Sequence, residues 1–141
     1  MRLHPMIDEN IQNAGQHLFG IFDSDGVKDA FCYTVGNALS GLPELLFIAN
    51  IPQHQQAMIL NAVGAHMRET GKLEEGLLDI EWTFPFKIRK CSDLAKENFT
   101  IQAGNYLGRD DYEVYQVMIC DPNGHYPGDD GIEPFYNVEQ P

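Results

Sequence analysis

Two short stretches of this chain concentrate residues whose types and spacing can do chemistry. The first is Tyr33-Thr34-Val35-Gly36, followed by Asn37 and then by Gly41-Leu42-Pro43-Glu44-Leu45. A hydroxyl at Thr34, an amide at Asn37 and a carboxylate at Glu44 can orient a polar ligand, and Gly36 lets its atoms approach the backbone. The same residues suit a structural role, in which Gly36 and Gly41 supply turn geometry while Glu44 ties down a backbone N–H. The second stretch is Asp121-Pro122-Asn123-Gly124-His125-Tyr126-Pro127. Asp121 with His125 is the pair best suited to proton transfer near neutral pH, and Glu44 is the other candidate general base.

A third group is basic. Lys87-Ile88-Arg89-Lys90 is the one dense cluster of cations, and on a strand Lys87 and Arg89 share a face. They can hold a phosphate or carboxylate, Arg89 by a bidentate fork. The candidate ligand-binding set is therefore Thr34, Gly36, Asn37, Glu44, Lys87, Arg89, Asp121 and His125, with no catalytic role assigned.

Other chemistries find less support. Asp121, Asn123 and Asp129-Asp130 offer hard oxygens, but their spacing does not match an EF-hand loop and Asp-Pro-Asn-Gly is an ordinary turn. No metal site and no cofactor is expected, since neither a P-loop nor a dinucleotide glycine fingerprint is present. There is no Gly-x-Ser-x-Gly elbow. Cys32, Cys91 and Cys120 have an odd count and no Cys-x-x-Cys spacing, which reads as reduced thiols.

The elements that must position these residues follow from periodicity. Ile7, Ile11 and Ala14 predict a short N-terminal helix ending at Gly15. The runs 17–22 and 30–35 predict a hairpin around Asp23-Ser24-Asp25-Gly26, with Phe31, Tyr33 and Val35 on one face and Cys32 and Thr34 on the other. Residues 44–49 read as a buried strand. If the strands 30–35 and 44–49 are neighbours, Thr34, Asn37 and Glu44 converge at the end of the sheet. Pro52 opens a helix through Thr70 that Gly71 closes, with Ile59, Leu60, Val63 and Met67 as its apolar stripe. Residues 77–90 predict one or two strands with a bend at Pro85. Ser92 or Thr100 would cap a short helix through Leu107, and 112–120 is a late strand. The expectation is one α+β domain over residues 1–141, with a mainly antiparallel sheet, a central helix of about 18 residues and short flanking helices. Its core would cover about 17–127, with 128–141 as an extended tail.

Charge bounds the partners. The chain has 141 residues, 9 Lys and Arg against 21 Asp and Glu, and a net charge of −12. That balance repels phosphate backbones and anionic membranes, so neither nucleic acid nor membrane is an expected partner. A small polar or nucleotide-like ligand, or a protein with a basic surface, remains compatible with it. The start of the chain carries no apolar stretch, so a cytoplasmic location is expected. The aromatic tail from Tyr126 to Tyr136 either closes over the domain or reaches a second subunit, which leaves a homo-oligomer open.

In their order, Tyr33-Thr34-Val35-Gly36, Gly41, Pro43-Glu44-Leu45, Gly71, Gln116, Asp121, Gly124 and Pro127 resemble a family of small bacterial and phage domains of unknown function. The resemblance runs from about His17 to about Pro127. Asn37 stands where that family tends to have Leu. It implies a bacterial or phage-infected cell as the setting, and a counter-defence protein that sequesters a signalling nucleotide as one role. The competing functions are a small hydrolase or transferase using Asp121–His125 or Glu44, and an acidic protein-inhibitor module.

Overall fold

The structure, a computed structural model, describes residues 5–21, 30–109 and 111–141. The expected Asp-Gly turn at 23–26 lies outside them. The chain runs α1 (Pro5–Ala14), β1 (His17–Ile21), β2 (Phe31–Val35), a 3-10 turn (Asn37–Ser40), β3 (Glu44–Ile48), α2 (Gln53–Thr70), β4 (Gly76–Leu78), β5 (Phe86–Lys90), α3 (Leu94–Asn98), α4 (Ile101–Leu107) and β6 (Val114–Met118). Six strands form one sheet in the order β1-β2-β3-β6-β5-β4, and every pairing except β3–β6 is antiparallel. This is the α+β architecture that the periodicity predicts.

Alternation along the strands divides the core into two layers. Phe31, Tyr33, Val35, Leu46 and Ile48 face α1, α3 and α4 through Ile7, Ala95, Phe99 and Ala103. Cys32, Leu45, Phe47, Ile88 and Val117 face α2, whose stripe of Ile59, Leu60, Val63 and Met67 covers them. Burying each such aliphatic side chain contributes roughly 1.5–3 kcal/mol, so the stripe outweighs a helix sequence of ordinary propensity. Helix α2 has the expected 18 residues, begins after Pro52 and ends where Gly71 turns left-handed at φ 78°.

Late elements depart from expectation in detail. The expected helix through Leu107 starts after Thr100 as α4, and a separate short helix, α3, precedes it. Thr100 precedes α4 but spends its buried hydroxyl on Tyr112 at 3.0 Å instead of capping the helix. The tail folds back onto its own sheet. Val138 enters the core, the Glu139 carbonyl accepts from Gln116 Nε2 at 2.7 Å, and the Pro141 carbonyl accepts from Arg89 Nη1 at 2.6 Å. Among the described residues no helix is long and apolar enough to cross a membrane.

Candidate functional site

The antiparallel pairing of β2 and β3 brings Thr34, Gly36, Asn37 and Glu44 together. Glu44 has 0% of its surface exposed. Its Oε1 accepts from the Thr34 hydroxyl at 2.8 Å and the Asn37 N–H at 3.2 Å. Its Oε2 accepts from the N–H groups of Gly36 at 2.9 Å and Ala38 at 3.0 Å. Gly36 at φ 119° and Gly41 at φ 76° are both left-handed, so the 3-10 turn between them aims successive N–H groups at one carboxylate. Burial raises the Glu44 pKa, and the bonds from Ala38, Thr34, Gly36 and Asn37 oppose that rise.

A second tier of side chains supports this knot. The Thr34 oxygen accepts from the Leu45 N–H at 2.8 Å and from Asn37 Nδ2 at 3.2 Å. Asn37 Nδ2 also donates to Gln16 Oε1 at 2.8 Å. Arg68 Nη1, on α2, donates to Gln16 Oε1 at 2.8 Å and to Asn37 Oδ1 at 2.9 Å. Gln16 Nε2 donates onward to the Leu60 carbonyl and to Asn61 Oδ1, each at 3.2 Å. Gln16 and Arg68 were not among the sequence candidates. The available signal was that Arg68 is the sole Lys or Arg between Lys28 and Lys72, on a helix otherwise free of cations.

Asp121 forms a separate knot. Its Oδ1 accepts from the N–H groups of Asn123 and His125, both at 2.9 Å. Its Oδ2 accepts from the Glu133 N–H at 3.1 Å and contacts His125 Nδ1 at 3.3 Å. Desolvation alone would raise its pKa, but the bonds from His125, Glu133, Asn123 and the His125 ring hold it below the usual carboxylate value. The unfolded chain then takes up this proton first, so acid favours unfolding. Asp121→Asn is expected to cost stability at pH 7, and the gap to the parent should narrow as pH falls through the ordinary Asp range near 4. Urea titrations of both proteins at neutral pH and near pH 3.5 measure this, and a constant gap would contradict it.

The two knots do not share a hollow. Strands β3 and β6 run parallel with Glu44 opposite Val114, whereas Asp121 lies beyond the far end of β6. The five residues of β6 and the three that follow separate the two levels, on the order of 20 Å. Lys87 lies nearer the late knot, with its ammonium 6.0 Å from the centre of the Tyr126 ring. Arg89 is taken up by Gln116 Oε1 at 3.1 Å and by the Pro141 carbonyl.

Chemically, both carboxylates are filled by donors. With four hydrogen bonds each, neither Glu44 nor Asp121 offers a free lone pair to a substrate proton. The thiols are equally quiet. Burial pushes Cys32 up to about 12 and Cys91 to about 11, and raises Cys120 as well, so all three are protonated at neutral pH. No group of three or more His, Cys, Asp or Glu side chains among the described residues is arranged to hold a metal ion.

A cleft of about 200 Å³ opens beside the Glu44 knot, between the turn at Ala38–Pro43 and the segment 109–113. Arg109, Asp111, Tyr112 and Glu113 line its second wall. Arg109 Nη2 donates to the Ala38 carbonyl at 3.2 Å and Nε pairs with Asp111 at 3.0 Å. The Glu44 N–H donates to the Glu113 carbonyl at 2.9 Å, which fixes one wall against the other.

A family model described as Domain of unknown function (DUF4262) matches residues 10–133. No curated protein and no solved structure matches the chain.

Proposed function

The chain belongs to the family of domains of unknown function DUF4262, and we propose that within it this protein binds a small polar ligand without transforming it. The observation that carries the reading is the preorganised cleft. Its first wall is a loop whose N–H groups are locked onto Glu44, so binding would cost little loop entropy. Thr34, Gly36, Asn37 and Glu44 then act as the frame of the site, while Arg109, Asp111 and Glu113 make the contacts.

The lining indicates the ligand's chemistry. Among the described residues Arg109 Nη1 has no hydrogen-bond partner, and it would take an anionic or carbonyl oxygen. The carboxylates of Asp111 and Glu113, both exposed, would take N–H or O–H donors. A nucleotide-like molecule carries both kinds of group, and the volume admits a fragment of base or sugar-phosphate size rather than a dinucleotide. Sequestration of a signalling nucleotide during phage infection extends this reading, supported by the resemblance to bacterial and phage domains.

Native mass spectrometry of protein purified from cells, followed by melting curves with mononucleotides, nucleosides and amino acids, tests it. A ligand at 100 times its Kd would add about 2.7 kcal/mol of stability. Arg109→Ala should abolish that gain while leaving the unliganded melting temperature nearly unchanged. Absence of any adduct together with absence of any thermal shift would remove the proposal.

A further inference from the structure

Strand β4 (Gly76–Leu78) ends the sheet, and among the described residues only β5 pairs with it. Its outer edge therefore presents unpaired N–H and C=O groups, which proteins usually blunt or cover. The strand is only three residues long, yet it and the bend beyond it present apolar side chains. Leu77 is 66% exposed, and beyond the strand Trp82 and Phe84 are 38% and 42% exposed. Trp82 is fixed there by packing on Phe86, with ring centres 5.6 Å apart. The bend that presents Trp82 passes through Glu81 at φ 63°, the one left-handed non-glycine among the described residues. The Glu81 N–H donates to Asp79 Oδ1 at 3.3 Å, which holds the bend.

An apolar notch of about 140 Å³ lies at the start of β5, between the Trp82–Phe86 segment and Ile119–Cys120 just after β6. The charge around this surface is mainly negative, with Lys87 opposite Leu77 on β5. Glu74, Glu75, Asp79 and Glu81 are exposed, and no Lys or Arg occurs between Lys72 and Lys87. Lys72 is paired with Glu74 at 3.2 Å. A second copy would bring the same carboxylates face to face on chains already at −12, so self-pairing is opposed. A basic chain meets no such opposition.

We propose that the β4 edge is a docking strand for an extended, basic segment of a partner protein. The segment adds a strand to the sheet and packs its aliphatic side chains on the exposed Leu77 and Trp82. Its Lys or Arg residues pair with Glu74, Glu75, Asp79 and Glu81. Main-chain bonds provide the register and the charges provide partner choice. This site is on the opposite edge of the sheet from β1 and is independent of the cleft beside Glu44.

Trp82 is the chain's single tryptophan, so its emission reads this surface alone. The probe is a peptide of about eight residues alternating Lys and Val, a common strand length. The expected result is a saturable change in Trp82 emission. A peptide N-methylated on alternate residues, which cannot complete the strand pairing, should bind at least about tenfold more weakly, as should the peptide to a Glu74→Lys, Asp79→Lys variant. Three results would overturn the proposal: no saturable emission change, equal binding of the N-methylated peptide, or a dimer in sedimentation that Trp82→Ala dissolves. The first denies the site, the second reduces it to bulk charge, and the third gives the edge to a second copy.

Discussion

Glu44→Gln is expected to lower the unfolding free energy by about 2–4 kcal/mol, or about 10 °C in melting temperature for a chain of this size. The substitution keeps the shape and removes the charge. Three N–H groups and one hydroxyl converge on the carboxylate, and an amide can offer an acceptor oxygen to only half of them. Its NH2 group must then point at donors in a place shut off from solvent. Four charge-assisted bonds taken singly would sum to far more than this loss. Burial offsets part of that sum, which is also why the Glu44 pKa lies above its ordinary value. Amide exchange gives a local readout, because the N–H groups of Gly36, Asn37 and Ala38 should be protected in the parent and exchange faster in the variant. Unchanged stability with unchanged protection would mean that the carboxylate does not hold this loop.

Such a result would also bear on the cleft, since its first wall is the same loop. Glu44 acts one step behind any ligand contact, so Glu44→Gln should weaken binding by loosening Ala38–Pro43 and not by removing a partner. Arg109→Ala removes a partner and one bond to the Ala38 carbonyl, but leaves the four bonds to Glu44 that hold the loop. The two variants thus separate positioning from contact.

The residues that were legible in advance are those with local signals. Pro52 and Gly71 bracket α2, and the alternation of Phe31 to Val35 fixes which side chains face which layer. The neighbourhood of Thr34 and Glu44 follows from a short loop between two apolar runs, and so was expected. What stayed hidden is non-local. No local pattern pairs β3 with β6, a partner some seventy residues away that runs parallel. That pairing sets Glu113 against Glu44 and creates the cleft, and it also sends Asp121 to the opposite end of the sheet. Grouping the two motifs into one candidate set takes no account of strand direction, which puts them at opposite ends of the sheet. Gln16 and Arg68 escaped notice for a similar reason: an amide before a strand and a cation late in a helix become partners only once α2 lies across β2 and β3.

Gly64 tests that tertiary arrangement most sharply. It sits inside α2, where replacing glycine by alanine ordinarily adds about 1 kcal/mol of stability. Here a Cβ would fall 2.3 Å from Gln16 Oε1 and 2.8 Å from Gln16 Cδ. Gln16 is a flexible side chain in principle, but it is buried and its amide is bonded to Asn37, Arg68, Leu60 and Asn61. Moving it aside breaks those bonds and loosens the support under Asn37. The expected outcome for Gly64→Ala is a net loss of about 2–3 kcal/mol, overpacking and broken bonds outweighing the helix gain. In a Gln16→Ala background the obstacle is gone, so the same substitution should become neutral or stabilising, a reversal that denaturant melts of the four proteins would measure. If Gly64→Ala stabilises the parent chain, α2 does not approach Gln16 closely, and the network linking Arg68 to the Glu44 loop is not formed.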